Sequence, residues 1–193
     1  MMFFSRIKIH SLLLAGVGLA GTALGQTPQM QSLQHQVPEV VGRSVRLGHS
    51  NPSRKLNVSV SLPFGNPGAI ENYVDSVSDP KSPNFHNFLT PEEVGARFGL
   101  NTGQVQSVVD YLKGHGFKIN LVGKNHLSIL AEGTVSQVEA AFQTSIDEYQ
   151  SLRPDESGNA RYFSFSSELK VPASIAPYVS DVSGLESFTK PEP

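Results

Sequence analysis

Between residues 56 and 142 the apolar residues switch repeatedly between two spacings, and few folds accept that pattern. Leu56, Val58, Val60 and Leu62 alternate with Asn57, Ser59 and Ser61, the period of a strand with one buried face. Ile70, Tyr73, Val74 and Val77 then recur at i, i+3, i+4 and i+7, one face of a helix. Val105, Val108, Val109 and Leu112 repeat that spacing. Phe117, Ile119 and Leu121 return to alternation, as do Leu127, Ile129 and Ala131 after a Gly123-Lys124-Asn125 turn, which reads as a hairpin. Val135, Val138 and Phe142 form a last helical face. Because the strands alternate, one face of the sheet is solvated and the pairing is antiparallel. The expected class is α+β: a ferredoxin-like antiparallel sheet with helices on one face and an extra helical insertion in its first crossover.

Local signals mark the element ends. Asn66-Pro67 caps and opens the first helix, and Asp79-Pro80 closes it. Thr90-Pro91-Glu92-Glu93 and Thr134-Val135-Ser136-Gln137 are capping boxes. Gly114 and Gly116 end the helix that begins near Thr102. Short strands are expected at Ile146–Tyr149 and Tyr162–Phe165, with a polar loop over 153–159 between them. Pro172–Ser180 reads as irregular or a short helix.

Outside this block the chain has a different character. Residues 1–25 read as a signal peptide: Arg6 and Lys8 precede an apolar run from Leu12 to Leu24, and Ala23-Leu24-Gly25 suits cleavage before Gln26. The rival reading, a membrane anchor, meets a run well short of the ~20 residues needed to span, diluted by glycines, four with Gly25. Export is therefore expected, to the extracellular space or the periplasm, with no membrane association after cleavage. Residues 26–54 read as a Gln/Pro-rich linker and 187–193 as a disordered tail, leaving 55–186 for the domain.

Composition narrows the function classes. The chain of 193 residues has no Cys, which removes a disulfide scaffold and thiol catalysis. A formal net charge of −2 argues against an electrostatic nucleic-acid binder. Asn57-Val58-Ser59 is a glycosylation sequon, but it falls on a strand. No G-x-S-x-G elbow, short metal spacing of histidines or phosphate loop is found, so no catalytic, cofactor-binding or metal-ligating residue is assigned. Glu92/Glu93 belong to a helix start, and Asp147/Glu148 point to opposite faces of a strand. The residues alone give an exported α+β domain that binds or regulates.

The segment Val74-Asp75-Ser76-Val77-Ser78-Asp79-Pro80-Lys81-Ser82-Pro83-Asn84-Phe85-His86-Asn87-Phe88-Leu89-Thr90 resembles the activation (pro) domain of the sedolisin–kumamolisin serine-carboxyl peptidases. Phe98-Gly99, the run from Val108 to Phe117, Gly133 to Phe142, Tyr149, Val171-Pro172, Ile175 and Val182-Ser183-Gly184-Leu185 follow in the family's order. Phe85 departs from the Tyr usual there, keeping the ring and losing a hydroxyl. The resemblance implies a fold similar to subtilisin-type prodomains. It also implies a chaperone and inhibitor of a sedolisin-type catalytic domain, which it would leave in acid. The family's catalytic Ser, Glu and Asp and its calcium ligands match no position here, and 193 residues are filled by signal, linker and this domain. Two origins fit, a stand-alone prodomain or part of a longer zymogen. A secreted binding module that kept the fold without a peptidase is the alternative of a different class. Phe85, Phe88 and Leu89 are the partner-docking candidates; the other reading has them anchor their loop to the core. Without residues 1–25 the chain has 13 cations and 17 acids, so −4. Near pH 4 its five remaining histidines charge and about half its carboxylates neutralise, given ordinary values near ~6.5 and ~4. Such a swing is expected to weaken a complex formed at neutral pH.

Overall fold

The computed structural model describes residues 28–34, 36–152 and 161–188. The signal segment 1–25, the 153–159 loop and residues 189–193 lie outside them. Nine strands and four α-helices follow in order: β1 (Met30–Ser32), β2 (Ser44–His49), β3 (Lys55–Ser61), α1 (Pro67–Ser78), α2 (Pro91–Phe98), α3 (Thr102–Gly114), β4 (Lys118–Val122), β5 (Ser128–Thr134), α4 (Val135–Phe142), β6 (Ile146–Ser151), β7 (Arg161–Phe165), β8 (Lys170–Pro172) and β9 (Asp181–Ser183).

The central sheet has strand order β4-β5-β3-β9, with every pairing antiparallel. Both crossovers, β3 to β4 and β5 to β9, skip one strand, which is the split βαβ expected of a ferredoxin-like fold. The inward rows are Leu56, Val58 and Val60 of β3, Ile129 and Ala131 of β5, and Val182 of β9, all buried. α3 packs on β4 and α4 on β5. Val105, Val108, Val109 and Leu112 meet Val135, Val138, Ala141 and Phe142 over the sheet in one core. The Tyr111 hydroxyl of α3 donates to the Ala141 carbonyl of α4, and burial pushes that phenol up to about 12.

Two glycines of the matching motifs have steric reasons. A Cβ on Gly133 would lie 2.7 Å from the Phe117 ring, so that ring packs directly on the β5 backbone. Gly184 has φ +89°, and a Cβ there would reach 2.1 Å from the Asn57 carbonyl of β3.

α1 and α2 stand apart from this core. The caps fall as expected: the Asn66 side chain accepts from Ala69 N–H, and Thr90 and Glu93 form a full capping box. α2 lies against the β4–β5 turn, where Gly95 and Gly99 allow backbone contact with Lys124 and Asn125. Val77 and Phe98 are buried, but outside the main cluster. The apolar face expected of α1 is only partly covered: Val77 is buried, Ile70 and Tyr73 are half-buried, Tyr73 against the Phe98 ring, and Val74 is 50% exposed.

Three expectations are corrected. Residues 30–32 and 44–49 are not linker; they form β1, which pairs with β8, and β2, which pairs with β6 in a second sheet of order β2-β6-β7. The sequence hides β2 because its paired positions are held by polar bonds. Arg46 meets Asp147, and the Tyr162 hydroxyl donates to Ser44 Oγ, while Val45 and Leu47 point outward. Residues 187 and 188 are not a disordered tail. Ser187 N–H donates to the Phe163 carbonyl and its Oγ accepts from Phe163 N–H, and the Phe188 ring packs edge-on to Tyr162. Leu121 does not share the face of Ile119. A bulge at Asn120 shifts the register, so Ile119 opposes Ala131 and Leu121 opposes the outward Leu130.

Candidate functional site

The loop from Asp79 to Thr90 is built by short-range hydrogen bonds. Asp79 accepts from Lys81 N–H, Ser82 accepts from Asn84 N–H through its hydroxyl, and Phe85 N–H donates to the Ser82 carbonyl. Two bonds tie the loop to α1: His86 N–H to the Val77 carbonyl at 3.0 Å, and the Tyr73 hydroxyl to the Asn87 carbonyl. Arg97 of α2 lies over the Tyr73 and Phe98 rings, 4.7 and 5.1 Å from their centroids, and braces the same junction.

His86 is held at φ +60°. A non-glycine residue there is a local strain that the surrounding bonds must hold. The result is a three-ring stack. Phe85 and His86 centroids are 3.7 Å apart and those of His86 and Phe88 are 5.9 Å apart, each pair 25° from parallel. Phe88 is 71% exposed and Phe85 38%, while Leu89 is half-buried. Phe85 and Phe88 are thus exposed and do not anchor the loop in the core, whereas Leu89 is half-buried. The ring without its hydroxyl at 85 stacks on His86.

Two further apolar surfaces were not legible as such. Leu121 and Leu130 oppose each other on the open face of the central sheet, in a row with Ser59 and Ser183. The charges on that face pair internally: Lys55 Nζ is 2.8 Å from Glu132, and this contact holds the Glu132 carboxyl below its usual range. The second surface is a groove of about 500 Å³ along α1, lined by Phe64, Pro67, Ile70, Glu71, Val74 and Asp75.

A polar cluster joins β2, α4 and β6. Arg46 donates Nε and Nη2 to the two oxygens of Asp147 at 2.7 and 2.8 Å. His49 Nδ1 is 3.5 Å from Asp147 and 3.4 Å from Ser145 Oγ, and its Nε2 is 3.4 Å from Glu139. Hydrogen bonds from Arg46 hold the Asp147 carboxyl below its ordinary value against the opposing effect of burial, with His49 and Ser145 adding to the lowering. Ser, His and Asp are thus together, from residues 98 positions apart, but not as a nucleophilic triad. That chemistry needs the Ser on the ring nitrogen opposite the Asp. Here both face Nδ1 and a carboxylate occupies Nε2. Glu148 points the other way, to Arg54 at 2.6 Å and Ser50 at 2.7 Å, as the strand alternation requires. Glu92 and Glu93 serve α2: Lys124 and the Thr90 backbone, respectively, hold their carboxyls low. Among the described residues no His, Asp and Glu are grouped as three or more potential metal ligands, and no helix is long and apolar enough to cross a membrane.

The described residues thus combine a ferredoxin-like core with an exposed aromatic stack and exposed apolar surfaces. Residues 42–188 match the family model described as Pro-kumamolisin, activation domain, and the chain belongs to that family. It is 36% identical over 135 residues to Xanthomonalisin of Xanthomonas sp. (strain T-22), a match covering 69% of this chain and 16% of that protein. It is 30% identical over 137 residues to Sedolisin of Pseudomonas sp. (strain 101), covering 71% and 22%. Aorsin of Aspergillus oryzae is 27% identical over 154 residues, covering 78% and 23%. The chain thus spans less than a quarter of the length of these relatives.

Proposed function

We propose that the domain is the propeptide of an acid serine-carboxyl peptidase, acting in cis or in trans as its folding chaperone and inhibitor. The observation that carries this reading is the activation-domain match over residues 42–188. It is supported by the relatives, in which the matched region is a minor part of a longer chain. Phe85 and Phe88 are the primary contact and Leu89 their support. A rigid, exposed aromatic pair is the kind of anchor that dominates binding energy at interfaces. The domain contributes shape and apolar area, and the chemistry belongs to the peptidase. Residues 1–25 direct export, and mass spectrometry of the secreted chain is expected to find Gln26 first.

The purified chain, added to the peptidase portion of the Xanthomonas relative, is expected to inhibit it at neutral pH and to raise its refolding yield. Phe88→Ala is expected to weaken inhibition at least tenfold, because an anchor residue contributes roughly 2 kcal/mol or more. Inhibition indifferent to Phe85 and Phe88 would assign these rings no role. Peptide hydrolysis by the purified chain itself would overturn the reading that it acts only by binding.

A further inference from the structure

We infer that the outward stripe of α1 is a second contact for the peptidase partner, and that it receives an apolar segment flanked by lysine or arginine. The inference rests on the propeptide reading and specifies the chemistry of the surface that meets it.

Three observations lead there. First, Pro67, Ile70 and Val74 continue the helix's apolar stripe past its buried edge at Val77, and with Phe64 they line a groove of about 500 Å³. Val74 remains 50% exposed on that stripe. Second, Glu71 and Asp75 line the same groove one helical turn apart. Like charges at i and i+4 destabilise a helix. Neither residue caps α1, whose first turn holds no acid and whose last turn holds no base. Among the described residues no cation pairs with them, in contrast to Glu132 on the open sheet, which Lys55 neutralises. Apolar groups beside uncompensated acids are complementary to an apolar, basic-edged partner. Third, the groove is joined to the aromatic stack through the Tyr73–Asn87 and His86–Val77 bonds. One partner seated on Phe88 therefore has α1 within the same rigid surface. The relatives carry more than three quarters of their length beyond the matched region, which is ample chain for such a partner.

The test uses the full chain and the peptidase portion of the Xanthomonas relative, with affinity measured at several salt concentrations. Val74→Glu and the pair Glu71→Lys/Asp75→Lys are compared with Phe88→Ala. Both α1 variants are expected to lose at least tenfold in affinity, and Glu71→Gln/Asp75→Gln to flatten the salt dependence. Their melting temperatures, read by circular dichroism, are expected to match wild type, since these side chains are exposed. Wild-type affinity in both α1 variants alongside weakened Phe88→Ala would overturn the α1 contact and leave the propeptide reading standing. No binding by wild type would remove the propeptide reading itself. Concentration-dependent dimerisation of wild type, abolished by Val74→Glu, would make a second copy of this chain the occupant and overturn the peptidase assignment.

Discussion

α1 and α3 have the same apolar signature and opposite fates. Each places four apolar residues at i, i+3, i+4 and i+7, and each begins at an asparagine whose side chain accepts a hydrogen bond from the backbone three residues on. In α3 all four are buried between the sheet and α4. In α1 only Val77 is buried; Ile70 and Val74 line a groove, and Tyr73 packs against the Phe98 ring. Periodicity therefore identifies which face of a helix is apolar, and the topology decides what lies against it. α3 is the crossover helix that closes the split βαβ; α1 belongs to the insertion that stands at the end of the β4–β5 turn.

The largest effect separates the two helices directly. Leu112→Ala in α3 is expected to cost about 2–5 kcal/mol, the transfer term plus the cavity left in a closed core. Val74→Ala in α1 is expected to stay within roughly 0.5 kcal/mol, as at other exposed positions. Denaturant midpoints of the two variants check this. Equal losses would mean that the α1 stripe is packed in solution, and the comparison would fail.

The matched caps give a smaller and sharper test. Asn66→Ala and Asn101→Ala each remove one side-chain acceptor, worth typically about 1 kcal/mol. If α1 is fastened only to α2 and its own loop, Asn66→Ala raises amide exchange in α1 and leaves the global unfolding free energy nearly unchanged. Asn101→Ala is expected to lower global stability by the whole amount, because α3 cannot open without the core. Exchange that rises throughout the molecule in Asn66→Ala would show that α1 is part of the global unit.

The same contrast explains what was legible in the sequence. α3, α4 and the central strands are legible because their side chains are satisfied by short-range period and apolar burial. The β2 strand is not legible because its fastening is non-local and polar. Arg46 finds Asp147 across 101 residues, and no window of neighbouring residues contains both. The face of Leu121 is not legible because one bulged residue, Asn120, reverses the alternation after it. The motif marks the docking candidates Phe85, Phe88 and Leu89, but the exposure of the two rings goes with His86 at φ +60° and with two bonds to α1. The acidic edge Glu71/Asp75 was visible as letters. Its lack of a partner among the described residues is a property of the fold.

β2 tests the comparison from a third direction. Like α1 it turns apolar residues outward, with Val45 51% and Leu47 49% exposed, but unlike α1 it is clamped by charge. The clamp has a definite pH sign. Because Arg46 holds the Asp147 carboxyl below its ordinary value, the ionised form is favoured by folding. Its contribution is fully present above the ordinary carboxylate value near ~4, and is lost as pH falls through the lowered one. Asp147→Asn is therefore expected to lower stability at neutral pH and to flatten the acid limb of the stability curve. The effect should be the smallest of the three, since Arg46 is half in water and exposed pairs are screened. Amide exchange followed from pH 6 to pH 2 locates the change. It is expected to rise first at the β2–β6 pairing, while α3 stays protected. Acid opening that starts in α3 would instead place the pH-sensitive fastening inside the core.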